Sequence, residues 1–318
     1  MKLVVNGIDH AFLRWFGCSC TRCINPRNAA NTSVSLISEE DNGGLHHILF
    51  DVGMRVVDSL VNLLRDKAYL DLLIISHWHP DHVLDLNRLC ETWWRTLKGR
   101  GDRKLKLPVW CRSGTAEWLR TYYDYECRKF LDIHSSKEHK CSGFVIGNIQ
   151  TDIPKLKITA ISVSHCTADF SPSGEYLPCC ASFIIEKEEG KKAVLLWDID
   201  NKNQWIKEPS SAEQREAVEL LVEADYLFID CNTWQVEEDD EGRNTGHISF
   251  STVKDYVKAL SPKMTLLVHL SGHEDGEGNP GWGWDDQTWQ DNAQREWDEM
   301  KLPGKVCVPK IGQSFELE

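Results

Sequence analysis

SHWHPDH, residues Ser76 to His82, is the stretch on which the reading of this chain turns. It sets His77, His79, Asp81 and His82 directly after the apolar run YLDLLIIS, which predicts a buried strand emptying into a loop. Clustered imidazoles and carboxylates are the donor set of zinc, iron and manganese sites, and a plain polar turn has no need of them. Residues two apart on an extended strand end point the same way, so His77 and His79 can hold one ion. Asp81 and His82, beyond the bend at Pro80, then face a second. A catalytic ion takes three or more protein ligands plus a water, so further His and Asp must come from distant sequence.

The surrounding composition is that of an ordinary globular enzyme. The chain has 318 residues, 41% of them hydrophobic, ample for a buried core. Its net charge of -13 opposes a protein that holds nucleic acid by neutralising phosphates, so no nucleic-acid partner is expected. The opening MKLVVNGIDHAFLRW has no long apolar core, and no run of about 18 apolar residues occurs, so a cytoplasmic protein without a membrane partner is expected. A small-molecule substrate is the expected partner, and a homodimer is left open.

Twelve cysteines are many for this length, but in a reducing compartment they favour thiols and metal ligation over disulfides. Cys90, Cys111, Cys127, Cys141, Cys231 and Cys307 read as small core or half-buried residues. Cys18, Cys20 and Cys23 stand apart in a CxCxxC spacing. Three thiolates that close together can surround a tetrahedral zinc with one ligand missing.

Taken in order, SVSLISEE and HHILFDVG predict a hairpin turning at Asn42 to Gly44, with His46 and His47 as solvated surface residues. Arg55 to Lys67 predicts an amphipathic helix, VLDLNRLCETWWRTLKGRG another, PVWCRSG a strand, and Thr115 to Phe130 a single helix. Leu131 to Gln150 carries little pattern, and His134 and His139 read as exposed loop. LKITAISVSHCTAD predicts a strand ending at His165; CCASFIIEKEEGKKAVLLWDID predicts a hairpin ending at Asp198, with Asp200 a competitor. A helix over Ser211 to Ala224 and a strand at YLFIDCNTW follow, then an acidic loop, and then His247, read as opening a helix. The Trp-rich 282–297 stretch reads either as a pocket wall or lid or as a packed surface excursion. One domain over 1–318 is expected, with insertions near 88–150 and 274–297.

The HxHxDH spacing in SHWHPDH resembles the metallo-β-lactamase superfamily, and the CxCxxC turn resembles its branch containing PhnP and PqqB. The resemblance implies an α/β fold, a four-layered αββα sandwich, with a dinuclear site at one edge. It implies that His165 completes the first ion, Asp198 bridges both, and His269 completes the second; it favours Asp198 over Asp200. Asp51 would orient the HxHxDH loop. Asp81 would act as ligand and catalytic residue, and His247 as a general acid. The fourth ligand of a structural zinc with Cys18, Cys20 and Cys23 would be His273. The implied cofactors are two divalent ions (Zn, Mn or Fe) and that one zinc. The implied activity is a phosphodiesterase acting on a small or cyclic phosphate ester through a metal-bridging hydroxide. The alternative is a PqqB-like iron-dependent oxidoreductase or hydroxylase using the same ligands.

Overall fold

Strands buried on both faces are what a sheet needs when another sheet covers one side and helices the other, and β2 (Ser33–Glu39), with its small serines interleaved with Val34, Leu36 and Ile37 and only its last residue exposed, is such a strand. The computed structural model describes residues 1–11, 14–24, 29–39, 43–65, 69–100, 106–136, 142–165, 168–169, 172, 174, 176–236 and 246–318. With β1 (Lys2–Gly7), β3 (Leu45–Phe50), β4 (Leu72–Ile74), β5 (Leu107–Arg112), β6 (Leu131–Ser136) and β14 (Ser314–Glu316), β2 builds a seven-stranded sheet in the order β14-β1-β2-β3-β4-β5-β6. The second sheet has seven strands in the order β13-β12-β11-β10-β9-β8-β7. These are β7 (Phe144–Ile149), β8 (Leu156–Ser162), β9 (Ala181–Lys187), β10 (Lys192–Leu196), β11 (Tyr226–Asp230), β12 (Met264–Val268) and β13 (Lys305–Cys307).

The sheets pack face to face, with Phe50 and Trp110 of the first each against Phe183 of the second. Helices α2 (Val56–Ser59), α4 (Leu86–Arg100) and α5 (Ser113–Tyr122) cover the outer face of the first sheet through Val56, Leu86, Trp93 and Leu119. Helices α7 (Ala212–Leu221), α8 (Phe250–Leu260) and α9 (Asp286–Met300) cover the second through Leu221, Val257 and Trp289. The architecture is the expected αββα sandwich. The remaining helices are short: α1 (Thr21–Ile24), α3 (Pro80–Val83) and α6 (Asp124–Lys129).

Topology explains why the predicted ligands meet. Strands β3 and β4 are parallel, as are β10, β11 and β12; β8 and β10 each run antiparallel to β9 and so share a direction. The C-terminal ends of β8, β10, β11 and β12 therefore open on one edge, where sheets of this kind place their ligands. Asp51, His77, His165, Asp198, Asp230 and His269 all stand at strand ends or just beyond them. The Gly53 backbone lies so near the SHWHPDH loop that a Cβ there would sit 1.7 Å from Asp81 O.

Several local expectations differ from the structure. His47 is fully buried on the interior strand β3, with Nε2 2.8 Å from Ser35 Oγ, and His46 is half-buried. The helix expected over Arg55 to Lys67 is one α-helical turn running into a π turn, Leu60–Leu64, entered at Arg55 (φ 67) and left at Arg65 (φ 49). The helix expected over Thr115 to Phe130 breaks at Tyr123 into α5 and α6. The weakly patterned 131–150 contains β6 and β7, and His134 is exposed on β6. Asn42, His139, Cys141 and most of the acidic loop lie outside the described residues.

Candidate metal centre

Two clusters sit side by side at the sandwich edge. In the first, His77, His79 and His165 bring their ring nitrogens together, with His165 Nε2 3.1 Å from His79 Nδ1. In the second, Asp81, His82, Asp198 and His269 converge. Asp198 reaches both sides: Oδ2 lies 2.8 Å from His82 Nε2, and Oδ1 lies 3.0 Å from His269 Nε2 and 3.9 Å from His165 Nε2. Asp200 instead accepts from Ser164 Oγ and Lys202 N, both at 3.0 Å, and stays outside the clusters.

The outward nitrogen of each imidazole is freed by what holds the inner one. His82 Nδ1 lies 2.8 Å from Asp51 Oδ2, and His165 Nδ1 2.7 Å from Gly246 O, so each donates to its partner. Asp51 also accepts from Ser76 N and Oγ, both at 2.7 Å, and from Trp197 Nε1 at 2.9 Å, which fixes the carboxylate that fixes His82. Asp51 (φ 60), Asp198 (φ 53) and His269 (φ 61) all take left-handed backbone, a conformation costing about 1 to 3 kcal/mol that clusters at functional sites.

His77 Nε2, His82 Nε2, His269 Nε2 and Asp198 Oδ2 are buried with no hydrogen-bond partner, even though His82 and Asp198 approach to 2.8 Å. Close approach without hydrogen-bond alignment is what lone pairs aimed at a shared cation produce, and the donor set suits divalent zinc, manganese or iron. Burial and neighbouring imidazoles hold His77 and His165 well below the usual histidine range, and burial takes His79 down to about 4. Neutral imidazole is the ligating form.

The cysteine turn forms a third cluster. The Sγ atoms of Cys18, Cys20 and Cys23 each lie 3.4 Å from His273 Nε2. A tetrahedral zinc with bonds of about 2.3 Å to sulfur and about 2.0 Å to nitrogen sets those donors about 3.5 Å apart, so the four side chains fit it. Burial and the nearby Arg22 charge lower His273, keeping the imidazole neutral, and Trp15 stacks on its ring at 4.3 Å.

A model of the β-lactamase superfamily domain matches residues 46–270, from β3 to just beyond His269. The chain belongs to the β-lactamase superfamily. Ribonuclease Z of Clostridium tetani is 22% identical over 266 residues, which cover 70% of this chain and 79% of that protein. The metallo-β-lactamase fold protein YhfI of Bacillus subtilis superposes with a TM-score of 0.65 at 18% identity, covering 99% of this chain and 98% of that one. A diphosphatase of the PhnP family gives a TM-score of 0.65 at 18% identity, covering 100% and 98%.

This superfamily member also holds residues that its sequence did not single out. His10, just past β1 and 7% exposed, stands edge-on to His247 at 5.0 Å and to His269 at 4.9 Å. Asp230, ending β11, lies 2.9 Å from His247 Nδ1. Its signal was legible: YLFID ends an apolar strand in Asp, as HHILFD does at Asp51 and VLLWD at Asp198. His247 does not open a helix; it precedes the Ser249 cap of α8. Burial opposes its charge, but the carboxylates of Asp230, Asp198 and Asp81 together outweigh that and raise the imidazole to about 9. The Trp-rich stretch is packed, with Trp284 and Trp289 against Trp234 and Gly283 behind Cys20.

Proposed function

We propose that this chain is a dinuclear phosphodiesterase that hydrolyses a small or cyclic phosphate ester. In this reading His77, His79 and His165 hold one divalent ion, Asp81, His82 and His269 hold the other, and Asp198 joins the two. The carrying observation is the position of Asp198, whose two oxygens reach toward both histidine clusters. Such a pair of ions supplies Lewis acidity toward phosphate oxygens and a water acidified toward neutrality.

The chain's own part is placement and proton handling. His247 stands against the shared carboxylate, with Nδ1 3.8 Å from Asp198 Oδ1. Asp230 holds the ring through Nδ1 and favours its protonated form, which leaves the other nitrogen to serve as the proton donor for a departing oxygen. The names of two relatives, a ribonuclease and a diphosphatase, support cleavage at phosphorus. The net charge of -13 weighs against a long polyanion and favours a small ester. Cys18, Cys20, Cys23 and His273 hold the structural zinc in the same proposal.

The test is turnover of bis(p-nitrophenyl) phosphate and of a cyclic nucleotide by protein reloaded with zinc, manganese or iron. Chelator-sensitive release of product from either supports the proposal. Failure on both with two ions bound overturns it; oxygen uptake by the iron form would put the oxidoreductase reading in its place, and cleavage of only a structured RNA would put RNA processing there.

A further inference from the structure

Arg22 lies within the cysteine turn, on α1, and its side chain is 1% exposed. An arginine is buried this far only when its donors are filled. Nη2 donates to Asp9 Oδ1 and, at 3.1 Å, to Leu270 O; Nη1 donates to Trp284 O and Asp286 Oδ1, both at 3.3 Å. Asp9 is also 1% exposed, and its second oxygen accepts from Ala30 N at 3.2 Å. Both Nη2 acceptors neighbour a histidine of the metal centre, for Asp9 precedes His10 and Leu270 follows His269. Backbone bonds tie these segments together, Leu270 N to Ile8 O at 3.1 Å and His10 N to Leu270 O at 3.2 Å. On the knot side, Gly272 beside His273 leaves room for the guanidinium stem, since a Cβ there would lie 2.3 Å from Arg22 Cδ.

We infer that Arg22 is a positioning residue through which the cysteine knot sets the affinity of the second active-site ion. The knot fixes α1, α1 fixes the Arg22 fork, and the fork fixes the backbones that present His269 and His10. The inference rests on the dinuclear reading. His77, His79 and His165 belong to the segments following β4 and β8, and Arg22 makes no bond to them among the described residues. The coupling is therefore selective, reaching the ion held through His269 and sparing the ion held by the three histidines.

The test titrates metal-stripped full chains, wild type, Arg22→Met and Arg22→Lys, with cobalt(II). Thiolate charge-transfer absorption reads the knot, and ligand-field bands with total cobalt read the other two positions. Wild type should fill all of them. Arg22→Met should keep the knot band and one histidine-site ion while binding the other about 10-fold to 100-fold more weakly. Arg22→Lys, which keeps a charge against Asp9 but loses the planar fork, should fall between. Equal binding by wild type and Arg22→Met, or equal weakening of both active-site ions, overturns the coupling. If wild type fills the knot but takes only one other ion, the dinuclear reading has failed and the coupling falls with it, a result separable from the previous two. Should Arg22→Met not fold by circular dichroism, the near-isosteric Asp9→Asn carries the test, with the same selective loss expected and the same outcomes decisive.

Discussion

The cysteine knot and the histidine–aspartate centre use the same elements of coordination to opposite ends. In the knot, three sulfurs stand at one distance, 3.4 Å, from a single imidazole nitrogen, and all three come from one short turn. In the centre, ligand atoms come from strand ends of both sheets, and the approaches to Asp198 range from 2.8 to 3.9 Å. A set closed on itself leaves no position for substrate and holds chain segments together, whereas a spread set around a shared carboxylate leaves positions to be filled. The two regions should therefore fail differently when cut.

Asp198→Ala should give the largest effect. In the proposed dinuclear site its removal would take away the ligand common to both ions, and losing several kcal/mol of charge stabilisation corresponds to about 10³-fold or more in turnover. Metal analysis should show depleted active-site ions with the knot ion retained. If the variant keeps all its ions and its turnover, the centre is not organised around Asp198.

Cys20→Ser sharpens the other side of the comparison. A closed site contributes to folding directly, so loss of one thiolate should lower stability by about 2 kcal/mol or more, read as a drop in Tm together with loss of one ion. A variant that melts like the parent with its metal intact would mean that the four side chains meet without an ion.

How much of this was legible follows from where the information sits. Candidate ligands spaced along one strand end, as in SHWHPDH, or along one turn, as in Cys18 to Cys23, are local, whereas His165, Asp198, His269 and His273 came only with the family resemblance that those two motifs carry. The sandwich was legible through the same resemblance; the apolar strand runs ending in acids agree with it but do not by themselves choose that architecture. His10 and Arg22 were not, since each gains its role from neighbours about 250 residues away in the chain, His10 from His269 and Arg22 from Leu270. Strands β6 and β7 were missed because many of their residues are only half-buried, which blurs the alternation that marks a strand. His47 was misplaced because pairing to β2 and β4 on both sides outranks its polarity.

His247→Ala asks whether the open centre moves a proton as well as holding ions. A placed general acid contributes about 10²-fold to 10⁴-fold, most where the leaving group is poor. Turnover of an alkyl phosphodiester should fall by about that much, while a nitrophenyl diester is largely spared and metal content is unchanged. Equal losses on both substrates would make His247 a positioning group, and loss of an ion would make it a ligand.

Asp230→Asn should have the smallest effect and separates orientation from charge. The amide can still accept from His247 Nδ1, now 2.9 Å from the Asp230 oxygen, so the ring keeps its place while the charge beside it goes. Asp230 is the largest influence raising this imidazole above the ordinary 6.5 to about 9, so the substitution lowers it. For a group raised on folding, the stabilisation is fully present below 6.5 and is lost as pH rises through about 9. The difference in stability between wild type and Asp230→Asn should therefore be greatest at and below neutral pH and close above about 9. Turnover of the alkyl diester should fall by about tenfold at neutral pH, with its alkaline limb moved to lower pH. An unmoved limb with the same loss of rate would assign Asp230 to ring placement alone, and the open centre would then owe its proton to another group.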